Sequence, residues 1–108
     1  MFNIGIFMSE IHCIARFLAK DGCKDILIKE LKLLIPETIS ESGCLQYELT
    51  EEISYIDKPW DVCLIERWVS LEDFDAHCNM SYIRHFFDTT SKGCIEKCDV
   101  RLYAPILV

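Results

Sequence analysis

Positive charge is scarce in this chain. Eleven lysines and arginines stand against eighteen aspartates and glutamates, a net charge of −7, which repels phosphate backbones and anionic lipid surfaces and excludes nucleic acid as a partner class. Long apolar runs are missing as well. The stretch from Ile4 to Met8 has no basic region before it and no small-residue cleavage site after it, and nothing later approaches the roughly 18 apolar residues that span a bilayer. The expectation is a soluble, cytoplasmic protein without a membrane partner. Glycine and proline are few, four and three, and mark no low-complexity linker, so 108 residues make one compact domain. Cysteine alone is plentiful, at seven residues. No two of them have the two-residue spacing of zinc knuckles or thioredoxin-like sites, which favours small buried hydrophobes in a reducing cytosol. Cys94 and Cys98, four apart, would form a metal or redox pair only on a helix; no metal ligand set is expected.

Half of the residues are apolar, and their periodicity divides the chain into seven segments. From Glu10 to Ala19, His12, Ile14, Arg16 and Leu18 alternate with Cys13, Ala15, Phe17 and Ala19, a strand with both faces at least partly covered. After Asp21-Gly22, with Asp21 a candidate cap, Ile26, Leu27, Glu30, Leu31, Leu34, Ile35 and Thr38 recur at helical spacing. Pro36 is expected to kink or end that helix before Ser42-Gly43 stops it. Cys44 to Thr50 reads as a second strand with Leu45, Tyr47 and Leu49 on one face. Beyond a loop with Asp57, Lys58 and Pro59, a third strand from Asp61 to Val69 runs antiparallel to the second. Ser70 offers an N-cap, with Asp73 three residues on, for a helix from Leu71 to about Cys78. Tyr82, Ile83, Phe86 and Phe87 mark another short helix closed by Gly93, and Lys97 to Tyr103 forms the last strand.

This order predicts an α+β, ferredoxin-like β-α-β-β-α-β domain over residues 10–108, with residues 1–9 an N-terminal extension, either an added edge strand or a disordered tail. Helices cover only one side of such a sheet, and the other faces of the strands also carry apolar groups. Two copies stacked sheet to sheet, an isologous homodimer forming one shared αβ-barrel, would cover them.

Within that frame Gly43-Cys44-Leu45-Gln46-Tyr47-Glu48-Leu49, then Glu66-Arg67-Trp68, then Phe74 and His77, outline a pocket with one titratable group. His77 is the first catalytic candidate, because imidazole is the side chain best suited to take a proton from a phenol near neutral pH. The competing reading leaves it on the exposed side of its helix or bonded to Asp73. Trp68 is the second: its ring would stack on a planar substrate or simply fill the core. Tyr47, Tyr82, His85 and Arg16 complete the candidates: the face Tyr47 shares with Leu45 and Leu49 argues for core, whereas Tyr82 and His85 would line a pocket mouth or face water. Glu66 and Arg67 point to opposite faces, so one needs a partner in a covered environment, and an ion pair across the dimer would supply it.

Together Ala15 to Gly22, Ser42 to Leu49, Glu66-Arg67-Trp68 with Asp73, Ala76 and His77, and Val100 to Pro105 resemble the antibiotic biosynthesis monooxygenase domain, especially small stand-alone members similar to quinol monooxygenases. The resemblance covers about Ile11 to Pro105. It implies a dimeric αβ-barrel with an apolar pocket in each monomer, and oxidation of a small phenolic or quinol-like aromatic by molecular oxygen with no metal, flavin or other cofactor. Relatives that degrade haem or isomerise a phosphorylated sugar leave the reaction open. Polyketide-oxidising members carry an asparagine and a tyrosine at the places of Leu64 and Phe74, which here offer apolar contacts to a substrate and no hydrogen bond. Haem-degrading members carry a tryptophan at the place of His77 and an iron-binding histidine near Phe87, with His85 two residues away. The alternatives to an oxygenase are a proton-transfer isomerase on a small carbonyl compound, with His77 as base, and a non-enzymatic dimer holding an apolar ligand.

Overall fold

A computed structural model describes residues 9–53, 57 and 59–106. Lys58 of the expected loop and all but Ser9 of the expected extension lie outside the described residues. The chain runs as β1 (Ile11–Ala19), α1 (Lys24–Ile39), β2 (Cys44–Glu51), β3 (Val62–Trp68), α2 (Leu71–Cys78), α3 (Ser81–His85), a π-helical turn (Phe86–Thr90), α4 (Ser91–Cys94) and β4 (Ile95–Tyr103). The strands pair antiparallel in the order β2-β3-β1-β4, the ferredoxin-like topology expected from the order of elements.

The two central strands carry the core. Ile11, Cys13, Ala15 and Phe17 of β1 and Val62, Leu64, Glu66 and Trp68 of β3 are buried at every second position, the two-residue period of a sheet with one face under helices. From α1, Leu27, Leu31, Leu34 and Thr38 meet them. Ile26 falls off that stripe and is exposed. Pro36 does not break the helix, which continues to Ile39. The carbonyl that loses its donor belongs to Lys32, an exposed residue, and buried Thr38 fastens the last turn by donating its hydroxyl to Leu34 O at 2.7 Å. Nor does Asp21 cap α1. Cys23 holds the N-cap position without a side-chain capping bond, after a turn that places Gly22 at φ +77°, a conformation glycine adopts without a steric penalty.

β2 departs from simple alternation. Its register against β3 slips between Cys44 and Gln46, so Leu45 is the extra residue of a bulge and is 47% exposed, while Tyr47 is buried and Leu49 packs against the core. The strand connects to α2 through a tight contact. Ser70 caps α2 by accepting from Asp73 N at 3.1 Å and donating to Asp73 Oδ2 at 2.9 Å, and a Cβ on Gly43 would lie 2.4 Å from both Asp73 Cβ and Cγ. Gly43→Ala should therefore displace the cap and cost ~1–3 kcal/mol in a urea titration; an unchanged midpoint would show that Asp73 moves aside freely.

The expected last helix is longer and contains a π-helical turn. The wider turn lets two consecutive rings reach Phe17, Phe86 edge-on at 6.2 Å and Phe87 stacked at 6.3 Å between centroids. Gly93 lies inside the final turn, Cys94 ends it, and β4 begins at Ile95. Cys94 and Cys98 thus sit on a helix end and a strand, not one helical turn apart. Opposite Ala15 and Cys13, Val100 and Leu102 face the helical side of the sheet but stay 48% and 43% exposed. On the reverse face, Ile14, Ile65 and Tyr103 stand among Arg16, Arg67 and Glu48. The bare face is therefore part apolar and part charged. No helix among the described residues is long and apolar enough to cross a membrane.

Candidate active site

Between the sheet and the helices lies a cavity of about 80 Å³. Its floor is Cys13, Ala15, Phe17, Tyr47, Leu64 and Glu66 from the strands; Leu31, Leu34, Phe74, His77, Ile83 and Phe86 roof it, with Cys78, Phe87 and Val100 at the rim. The wall is apolar except for a few groups that meet at one end, the form expected of a small-molecule site.

His77 is among them. It is 4% exposed, and its Nδ1 lies 2.8 Å from Glu41 Oε2, not against Asp73. Glu41 also accepts from the hydroxyl of Tyr82, which is 3.1 Å from Thr38 Oγ1. Burial pulls the His77 pKa below its ordinary value, against the opposing pull of Glu41. The imidazole is thus neutral at physiological pH. With Nδ1–H donated to Glu41, Nε2 carries the free lone pair, as a base requires.

Trp68 does not stack on the cavity. Fully buried, it packs its ring on His77 at 4.5 Å between centroids and 34° between planes, and its Nε1–H donates to Glu66 Oε1 at 2.9 Å. It is a support for both polar groups. Tyr47 lines the cavity, its ring edge-on to His77 at 5.6 Å, and burial holds its phenol protonated far above the ordinary value. Leu64 and Phe74 supply apolar wall. Tyr82 and His85 line a separate outer groove between α1 and α3, because the helical turn that buries Ile83 and Phe86 rotates them away. Arg16 lies on the reverse face of the sheet, opposite Cys63 and Asp99.

Glu66 is the covered member of the Glu66–Arg67 pair, and neither residue needs another chain for its partner. Arg67 forms a two-pronged bond with Glu10, Nε to Oε2 and Nη2 to Oε1, each 2.8 Å. With His12, Arg67 holds the Glu10 carboxyl down at about 2. Glu66, 4% exposed, is pushed up to about 7, with burial the largest cause. The sign of its effect on stability is unusual for a carboxylate. The folded chain keeps this proton where the unfolded chain has lost it, so stability falls as pH rises from about 4.5 to about 7. Replacing Glu66 by glutamine should remove that slope: against the parent, the variant gains ~3 kcal/mol between pH 4.5 and pH 8. Urea midpoints at the two pH values measure it; parallel pH dependences would show that Glu66 ionises as freely as in an unfolded chain.

Glu41 and Glu66 are the polar partners that the linear pattern hid to different degrees. Alternation of Val62, Leu64, Glu66 and Trp68 already placed a carboxyl among buried residues. Glu41 sits in the turn after α1, 36 positions from His77, where no spacing rule pairs them.

The family profile described as antibiotic biosynthesis monooxygenase matches residues 10–89. A Shewanella oneidensis protein of known crystal structure is 35% identical over 94% of this chain and 95% of its own, with a TM-score of 0.85. A Bacteroides thetaiotaomicron protein of unknown function, described as a possible oxidoreductase, shares the fold at 18% identity and TM-score 0.75 over 91% and 99% of the two chains. A dimeric, ferredoxin-like protein of unknown function from Bacteroides fragilis does so at 14% identity and TM-score 0.73 over 92% and 99%. No protein of curated function matches the sequence. With its profile match spanning most of the chain, the protein belongs to the antibiotic biosynthesis monooxygenase family.

Proposed function

We propose that this protein is a cytoplasmic homodimeric monooxygenase that oxidises a small aromatic or quinol substrate with molecular oxygen, using neither metal nor flavin. The observation that carries this reading is a neutral, Glu41-held imidazole on the wall of an apolar cavity. Nε2 of His77 takes the proton of a phenolic hydroxyl, and the resulting phenolate is electron-rich enough to pass one electron to oxygen. The radical pair then joins ring carbon to oxygen, and loss of water leaves a carbonyl. For a hydroquinone the sum is substrate plus O2 giving hydroxyquinone plus water.

Cavity size favours one ring over two. An apolar cavity of about 150 Å³ accepts benzene, and the space here is about 80 Å³, so entry requires the half-exposed Phe87 and Val100 at the rim to move. Fused rings would demand more. Tyr47, Leu64, Phe74 and His77 form the substrate contacts, and Trp68 positions His77. The part-apolar reverse face of the sheet supports the homodimer; sedimentation as a 12.6 kDa particle would overturn that part.

Oxygen uptake and product formation with hydroquinones, catechols and naphthols, in air and under argon, test the reaction. Turnover in air alone supports the oxygenase. Equal turnover under argon would replace it with proton-transfer isomerisation by the same base, and tight binding without conversion would make the protein a carrier of apolar ligands.

A further inference from the structure

Glu66 is not used by the proton abstraction described above. Its carboxyl shares the cavity with His77, rests on the same indole, and is closed off from water. Cys13 from β1 stands directly opposite it in the sheet. The titratable groups that act on it or share its wall are Cys13, Tyr47, Cys44 and Cys63 from the strands, Glu41 after α1, and His77 and Cys78 from α2. None is a permanent cation, and a charged Glu41 opposes a second negative charge nearby. Arg67, the next residue in the chain, points to the opposite face and is held by Glu10. A carboxyl so placed holds its proton up to about pH 7. Merely anchoring Trp68 would not call for this group, because a glutamine oxygen accepts an indole N–H equally well.

We propose that Glu66 is a catalytic general acid, which protonates the departing oxygen when a peroxide formed on the substrate collapses to a carbonyl. The assignment rests on the oxygenase reading above. The imidazolium first passes the phenolic proton to the outer peroxide oxygen, which frees Nε2; in the collapse the O–O bond then breaks and its electron pair leaves with the outer oxygen as hydroxide. The C–H bond electrons become the second carbon–oxygen bond, and the carbon's proton goes to Nε2 of His77. The departing hydroxide takes the proton of Glu66 and leaves as water. The water formed in the cavity then carries a proton from the imidazolium to the Glu66 carboxylate, restoring both groups. The base and the acid thus work in one cavity with opposite requirements: activity rises as His77 loses its proton and falls as Glu66 loses its own.

Glu66→Gln keeps an acceptor for Trp68 and removes the proton. In a Trp60→Phe background, where Trp68 is the remaining indole, its emission should titrate near pH 7 in the parent, and this step should vanish with glutamine. During turnover of a one-ring hydroquinone in air, Glu66→Gln should form product ~10²-fold more slowly, release hydrogen peroxide for most of the oxygen consumed, and lose the alkaline limb of the rate profile. Trp68→Phe removes the indole N–H that favours the carboxylate, so it should move that limb to higher pH. An unchanged emission titration with glutamine, or oxygen coupled to product as in the parent, overturns the assignment of Glu66 alone. A parent that titrates as described yet consumes no oxygen overturns the oxygenase reading, and the acid with it.

Discussion

Oxygen uptake by the His77→Ala protein should fall ~10²–10⁴-fold in kcat, the range over which a positioned base accelerates proton transfer. The loss should fall on kcat more than on KM, because alanine leaves the apolar wall of Leu64, Phe74 and Tyr47 in place. Folding should survive: Glu41 keeps the hydroxyl of Tyr82 when the imidazole is removed. A second variant separates base strength from base presence. Glu41→Gln retains an oxygen for Nδ1–H but removes the negative charge that raises the His77 pKa. The acid limb of the rate profile should therefore move to lower pH while the imidazole is still oriented. If His77→Ala turns over within tenfold of the parent, imidazole is not the base, and the cavity must work by holding its substrate alone.

The order of elements, the capped α2 and the central strands were legible in the sequence because each depends on local signals: two-residue alternation, a serine before a helix, a glycine after one. Where non-local packing decided, the pattern misled. Leu45 alternates correctly with Tyr47 but is expelled by the bulge against β3, and Pro36 stays within α1 because the bond it forfeits lies on the exposed side. The candidate site shows the same division. The buried side of Tyr47 was readable from strand phase and His77 stood out by its chemistry and the family resemblance, whereas the Glu41–His77 bond joins a turn to a helix across the fold. Trp68 reads as a ligand platform from its residue type. Its true neighbours, His77 on the ring face and Glu66 on the nitrogen, depend on how closely α2 sits on β3.

Trp68→Ala should be the most damaging single change to stability. The indole is fully buried, lies 4.5 Å from the ring of His77 and 6.4 Å from that of Phe74, and donates to Glu66. Truncating a buried tryptophan costs ~3–5 kcal/mol, and Glu66 also loses a donor in a place water does not reach. Against the roughly 5–15 kcal/mol that holds a domain of this size together, that is a large share, and the melting temperature should drop by ~15 °C or more. Trp68→Phe separates the two contributions. It retains most of the ring volume and loses the N–H, so it should cost ~1–3 kcal/mol. Circular dichroism during urea unfolding compares the variants. A Trp68→Ala loss under about 1 kcal/mol would mean that α2 closes over the gap and that the indole does not hold His77 in place. The kinetics divide the same way: a ring shielded from substrate by His77 leaves KM unchanged in Trp68→Phe, while one that touches substrate changes it.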